Sequence, residues 1–475
     1  MITYLPKYVS SRAMAVYAAL LLAISVLFGH PMTWYWWVFG IVEVTAFFYL
    51  GNSLSKQWQV KSSKRFIEDV FWTGLLLRIA YVIFSYFFYV NVNHSFFEFG
   101  AADSYTYHMY AVHGADMISR GEFNFLQQFN SLDYLRHLDR PDAGYPIYLS
   151  ILYFLSGKSI IFARMVKALL SSMTIVLTYR IARRNFGETT ARLTAVFCVL
   201  MPNLIYYCGT HLKESEMLFI TMLFLDRADL LIRSDKHNWL RIFECILLCG
   251  ASFFFRAVLS AVLALALLTG LLLTSRKVSS SIKRISIAAL LILMVGTVFW
   301  NSISEAFALS DYTNIQAQQE QNMQWRAERN NGNQFAKYAG AAVFAPLIFT
   351  IPFPTMVDIP GQENLQLLHG GNFVKNITSF FTILALISLL ISGKWRERVL
   401  PIAFLCGYLV VLVFSNYAQS ERFHIPILPL SLMLASYGLS EVFTGKHKRW
   451  FLLWLAFIFM VNLGWSWFKI RGRGL

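Results

Sequence analysis

The sequence is cut again and again into apolar runs of about 17–24 residues, long enough to cross a hydrocarbon core as helices. They fall near 12–28, 34–52, 67–90, 160–182, 188–207, 212–232, 239–255, 257–275, 284–304, 371–392, 398–415, 423–443 and 450–468. In lipid the backbone must satisfy its own hydrogen bonds, so such runs dictate helix. Composition agrees: 57% of the 475 residues are hydrophobic and 14% charged, against about 25% charged in a soluble domain. The expected fold class is therefore all-α, a polytopic membrane protein with about 13 transmembrane helices. Disordered, collagenous and disulfide-rich classes are excluded. The first run ends in Gly29-His30-Pro31 with no small-residue cleavage pattern and is expected to remain as a span.

Lys and Arg number 41 against 26 Asp and Glu, a net charge of +15. In a soluble chain that would suggest nucleic acid; here its distribution explains it. Basic clusters at Lys56–Arg65, Arg180–Arg192, Arg233–Arg241, Arg276–Arg284, Lys394–Arg398 and Lys446–Arg449 lie between spans and are expected on the cytoplasmic side. The long interruption 91–142 carries Glu98, Asp103, Asp116, Glu122, Asp133, Asp139 and Asp142 against Arg120, Arg136 and Arg140, and belongs outside. No nucleic-acid partner is expected.

Between 142 and 160 the run GYPIYLSILYFLS would make a helix only about 20 Å long, short of a core of about 30 Å. Counting it as a span would invert every later loop, so it is expected to lie in the outer interface. Residues 341–353, ended by Pro352 and Pro354, suggest a second such element. Thirteen spans place the basic tail Lys469–Arg473 outside, against the charge rule. The expected division is 1–66, two additional N-terminal helices; 67–304, a catalytic membrane core with outer loop 91–142 and interfacial helix 143–156; 305–370, a second outer loop with its juxtamembrane helix; and 371–475, C-terminal helices.

Residues able to do chemistry gather at the outer ends of spans. Asp103 opens the outer loop within Gly100-Ala-Ala-Asp103-Ser-Tyr-Thr-Tyr107-His108 and could take a proton from a hydroxyl acceptor. Its ordinary alternative is a helix N-cap. Arg140 lies before Gly144-Tyr145-Pro146, where an anionic headgroup could sit. His211, Lys213, Glu214 and Glu216 crowd the start of one span, more ionisable groups than a helix start requires. Arg256, Arg422 and His424 follow at other outer ends, and Arg suits bidentate phosphate contact. Snorkelling is the alternative for each cation. Arg78, deep in the third span, is expected to face the bundle interior. The five cysteines sit in apolar stretches and read as small buried hydrophobes. There is no Walker loop, His-Glu-x-x-His, Gly-x-Ser-x-Gly or Asp-x-Asp motif.

This order of elements resembles the integral-membrane GT-C superfamily of glycosyltransferases, in the bacterial branch related to protein O-mannosyltransferases and the lipid A aminoarabinose transferase. The resemblance is carried by Arg78, then Asp103-x-x-x-Tyr107-His108-x-x-Ala111, Gly144-Tyr145-Pro146, Ala163-Arg164, Ala182-Arg183-Arg184-Asn-Phe186-Gly187, Pro202-Asn-Leu-Ile-Tyr206-Tyr207 and Arg422-Phe-His424-Ile-Pro426-Ile-Leu-Pro429. It covers about 67 to 443. It departs in two extra spans before Arg78 and in Lys213-Glu214, where relatives often show Thr-Glu or Leu-Asp.

The resemblance implies a GT-C-like fold, a catalytic Asp matching Asp103, a polyprenyl-phosphate-linked sugar as donor, and Glu214 as the second acidic position. Tyr107, His108, Arg140, His211, Lys213, Glu214, Arg256, Arg422 and His424 are the expected substrate-binding residues. The acceptor would be a lipid, glycan or protein, at the outer face of the cytoplasmic membrane. No cofactor is certain; Asp103 with Glu214 could hold a divalent metal ion. An O-antigen polymerase or ligase is the nearest alternative, and a transporter or flippase the distant one.

Overall fold

In a computed structural model, the protein is described over residues 2–132, 142–234, 238–273, 345–414 and 418–472. These residues are helical, with no strand among them. Two helices from the N-terminal region, α1 (Lys7–Phe28) and α2 (Trp34–Gln59), precede the long α3 (Ser63–Asn93). Then come α4 (Ala102–Ser119), α5 (Phe125–Asn130), α6 (Gly144–Ser156) and α7 (Ile160–Phe186). Next are α8 (Glu188–Leu200), α9 (Pro202–Gly209), α10 (Glu214–Arg233), α11 (Trp239–Phe255) and α12 (Ala257–Leu273). After residue 345 follow α13 (Glu363–Leu367), α14 (His369–Ile391), α15 (Val399–Val413), α16 (Glu421–Val442) and α17 (His447–Arg471).

Each apolar run within the described residues is a helix; 284–304 and the loop 305–340 lie outside them. Seven of these helices are long and apolar enough to cross a membrane, or eight if the bent pair α8–α9 is one span. The count of about thirteen expected from the sequence is not reached among the described residues, which leave out the run 284–304. Among the described residues the difference lies in α11, α12 and α15, only 15–17 residues each, and in α10, which carries several charges along its length.

The helices have two chemically distinct ends. At one, the basic loops lock together. Arg184 donates to Asp229 (2.5 Å) and Asp226 (2.7 Å), Arg398 to the carbonyl of Asn185 (2.7 Å), and Arg192 to the carbonyls of Trp58 and Lys61 (2.9 and 2.8 Å). Gly187 makes the tight link from α7 to α8 with φ of 88°, a conformation that other residues resist. The opposite end holds α4, α6 and the segment before α14. Glu214 and Arg233 terminate one 20-residue helix, so the ends stand about 30 Å apart.

The short run at 144 forms α6, packed along α4 at this second end. Gly144 is required there, because a Cβ would come within 2.7 Å of the Phe254 carbonyl at the end of α11. The expected second juxtamembrane helix is not found in its described part, 345–353, which is one short 3-10 turn followed by irregular chain. Pro352 and Pro354 cannot donate to a helix, and α14 takes the freed carbonyls instead. Asn376 donates to Thr350 and Pro352 (2.5 and 3.1 Å), Ser379 to Phe349 (2.6 Å) and Lys375 to Ile351. Irregular backbone at this depth is tolerable only with such partners. The basic tail has an equally local reason: Lys469 is buried, donating to Thr355 (2.7 Å) and Gln362 (2.6 Å).

Arg78 lies wholly inside the bundle, as expected. Its guanidinium donates to the Ser171 hydroxyl (2.8 Å) and to the carbonyls of Gly74 (3.2 Å) and Cys198 (3.1 Å). Cys198 stands four residues before Pro202, the position whose missing N–H leaves that carbonyl without its helical donor. Arg78 supplies the donor at the 44° bend between α8 and α9. That bend aims α9 at the loop bearing His211 and Lys213.

Candidate active site

Three helix starts and one inter-helix link converge at the second end. Asp103 lies in the first turn of α4, where the helix dipole favours a carboxylate. The cap position itself falls on Ala101, so capping does not account for Asp103. Lys213 and Glu214 begin α10, Arg422 lies in the first turn of α16, and Arg256 is the extended residue joining α11 to α12.

Arg422 is the hub. Its Nη1 donates to the Asp103 carboxylate at 2.5 Å, and its Nε donates to Glu214. Arg256 approaches the same Glu214 oxygen at 3.8 Å. It also lies 4.5 Å over the Phe423 ring, within reach of the Tyr408 hydroxyl at 3.5 Å. Lys213 donates to Asp142 (2.7 Å) and to the carbonyl of Phe255 (2.6 Å), tying α10 to the start of α6 and the end of α11. Burial pulls the Lys213 pKa below its ordinary value, and Asp142 opposes that pull.

Accessibility separates the roles. The Glu214 side chain is wholly buried, while that of Asp103 is 49% exposed. A buried carboxylate held by two guanidinium groups anchors the cluster; the open one can meet a substrate. Arg256 is held at the longest distances of the three cations. It is therefore the one a new anion can recruit at least cost.

Tyr107 stays beside this cluster, within electrostatic reach of Arg422, Asp103 and Glu214, while His108 faces elsewhere. The Tyr107 ring is buried edge-on against Tyr145, 5.0 Å between centroids, and burial raises its pKa. His108 Nδ1 meets the Tyr153 hydroxyl at 2.8 Å, which meets His211 Nε2 at 3.2 Å. Burial, with Arg164 nearby, lowers both histidine pKa values, His211 the more, so they form a neutral relay beside the site. His424 also departs from expectation. Its Nδ1 pairs with Lys375 (2.8 Å) and its Nε2 with the Ala418 carbonyl (2.8 Å), so it supports the Arg422 turn from behind. Arg140 lies outside the described residues.

A metal held by Asp103 and Glu214 does not fit this arrangement, because the Arg422 guanidinium already bridges the two carboxylates. Among the described residues no group of three His, Cys, Asp or Glu side chains converges. Lys167 is a member that sequence reasoning missed. Fully buried, it donates to the carbonyls of Thr210 (2.9 Å) and Leu212 and to the Tyr145 hydroxyl (3.2 Å), and lies 3.7 Å from Glu216. Its signal was present: an ionisable residue two turns into an apolar run.

Comparison with known proteins gives no match among curated sequences. Among solved structures, ArnT from Cupriavidus metallidurans bound to undecaprenyl phosphate aligns at 15% identity, with a TM-score of 0.46. That alignment covers 81% of this chain and 63% of ArnT. The archaeal oligosaccharyltransferase AglB from Archaeoglobus fulgidus, in complex with an inhibitory peptide and a dolichol-phosphate, aligns at 12% identity and a TM-score of 0.46. Here 86% of this chain and 55% of AglB are covered. The chain thus spans less than two thirds of either protein. Residues 141–300 match the family model of the dolichyl-phosphate-mannose-protein mannosyltransferases, a stretch that includes Lys213, Glu214 and Arg256 but neither Asp103 nor Arg422. Over that stretch, well under half of the chain, the sequence is similar to the dolichyl-phosphate-mannose-protein mannosyltransferases.

Proposed function

We propose that this protein is an inverting glycosyltransferase that moves a sugar from a polyprenyl-phosphate carrier to a hydroxyl acceptor at the outer face of the cytoplasmic membrane. The observation that carries it is the chain Asp103–Arg422–Glu214–Arg256 at the membrane end opposite the basic loops. By the charge rule the basic end faces the cytoplasm and the site faces outward.

Asp103 acts as general base. Arg422 aims its carboxylate, and the exposed group takes the acceptor hydroxyl proton as that oxygen attacks the anomeric carbon. The bond from the anomeric carbon to the carrier phosphate breaks, and polyprenyl phosphate leaves with the electron pair. Arg256 is the cation best able to meet that growing charge, in a setting where water screens it little. Lys213 fixes the wall of the site through Asp142 and Phe255. The Gly144–Ser156 helix and α4 form the rim on which an acceptor would rest.

The test is Asp103→Asn in the full chain, expressed in a strain lacking the native gene, with mass spectrometry of carrier-linked sugars and surface glycans. Loss of transfer by about a hundredfold or more, with build-up of a polyprenyl-monophosphate sugar, is expected. Full activity in a correctly folded variant would remove Asp103 from the role. Accumulated diphosphate-linked repeat units would instead identify a polymerase or ligase.

A further inference from the structure

Helices α1 and α17 lie side by side, both running from the basic end toward the site end. Between them is a groove of about 500 Å³, lined by Arg12, Ala15, Val16 and Ala19 on one wall and by residues of 452–460, among them Leu455 and Phe459, on the other. That volume falls within the range of ligand pockets, about 300–1,000 Å³.

Two matched helical stripes build it. On α1, Tyr8, Arg12, Ala15 and Ala19 follow at intervals of four, three and four; on α17, Lys448, Leu452, Leu455 and Phe459 follow at the same intervals. Each stripe is apolar toward the membrane interior and carries one cation near the basic end, Arg12 on α1 and Lys448 on α17. Alanines on one wall face larger side chains on the other, which is what leaves the space.

The cations converge on one ring. The Arg12 guanidinium lies 4.6 Å from the Tyr8 centroid and the Lys448 ammonium 5.1 Å from it. Two like charges are thus held closer than a Debye length of about 10 Å. Among the described residues no carboxylate forms an ion pair with either. Meanwhile Leu452 and Met460 stay 40% and 64% exposed along the groove. An apolar channel opening under two uncompensated cations at a membrane surface matches one kind of ligand: an anion carrying a hydrocarbon chain.

We propose that the groove between α1 and α17 binds an anionic glycerophospholipid of the leaflet at the basic end. Its phosphate sits between Arg12 and Lys448, and one acyl chain lies along Ala15, Ala19, Leu455 and Phe459. Basic pockets between membrane helices on the cytoplasmic side are suited to such headgroups. The site is distant from Asp103 and independent of the transfer reaction.

Native mass spectrometry of the full-length protein tests it. The protein is stripped of co-purified lipid and titrated with dioleoyl phosphatidylglycerol or dioleoyl phosphatidylcholine. Wild type should retain the phosphatidylglycerol preferentially. Arg12→Gln should lower that preference roughly fivefold, and adding Lys448→Gln should bring the two lipids close to parity. Arg12→Lys should keep most of it, which controls for folding. Ala19→Phe, filling the groove, should reduce retention of both lipids. Parity in wild type, or an unchanged preference in the double variant, overturns the site; undiminished retention in Ala19→Phe overturns the seat for the chain.

Discussion

Arg422 and Asp103, 319 positions apart in sequence, meet at 2.5 Å, and the same guanidinium also holds Glu214. The bridge joins the first turn of α4 to α10 and α16. Removing one partner of a buried ion pair leaves the other uncompensated, at a cost of about 3–5 kcal/mol. Arg422→Gln should therefore destabilise the protein by about that amount, since Glu214 is wholly buried. Glu214→Gln in the same chain should recover part of the loss. A double-mutant cycle on thermal unfolding, followed by tryptophan fluorescence in detergent, reads the coupling. Additive effects would mean that the two groups do not depend on one another.

Arg78 and Pro202 make a second linked pair. The guanidinium stands in for the N–H that Pro202 lacks, so Arg78→Met should orphan the Cys198 carbonyl and cost about 1–3 kcal/mol. Pro202→Ala restores the N–H, and in the Arg78→Met background it should win that stability back. Transfer activity should not return with it, because straightening the 44° bend re-aims the chain leading to Lys213 and Glu214. If Pro202→Ala is no more favourable in the Arg78→Met background than in wild type, the two are not linked.

Much of this architecture is legible in the sequence because lipid leaves few choices. Long apolar runs must be helices, and Gly144–Ser156 is too short to be anything but a marginal one. That Asp103, Glu214, Arg256 and Arg422 fall at the end of the bundle away from the basic loops is legible in where the charges lie between the apolar runs. What hydropathy does not encode is which partner a buried polar group finds. His424 is two residues from Arg422 in sequence, yet its ring faces the α14 residue Lys375, and His108 faces Tyr153 while its neighbour Tyr107 faces Tyr145. Hydropathy is ambiguous at α12 and α15 for a related reason: the two pack against each other within the bundle, so apolarity there reports burial as much as lipid contact.

The His108–Tyr153–His211 relay should make stability fall in acid. Burial, then the cations Arg164 and Lys167, hold the His211 pKa well below the 6.5 of the unfolded chain. Below pH 6.5 the unfolded state thus binds a proton that the folded state refuses. Stability should decline by up to about 1.4 kcal/mol per pH unit from this group, until the pH reaches its folded pKa. Melting temperatures between pH 7.5 and 5 should show the decline, and His211→Gln should flatten it. An equally steep decline in the variant would assign the effect to other groups.

Lys375 should help to hold the His424 ring behind Arg422. The Ala418 carbonyl can only accept, so His424 carries its proton on Nε2, which leaves Nδ1 to accept from the Lys375 amine. This one-way chain fixes the turn that presents Arg422 to Asp103 and Glu214. Solid-state nitrogen NMR on histidine-labelled protein should find His424 as the Nε2–H tautomer. Lys375→Met should release that constraint, broadening or shifting the His424 signals, and should lower transfer by about tenfold as Arg422 loses its fixed position. Lys375→Arg retains a donor and should retain the tautomer. A His424 signal unchanged in Lys375→Met would mean that the ring is held by Ala418 alone and that Lys375 serves only the Ile351 carbonyl.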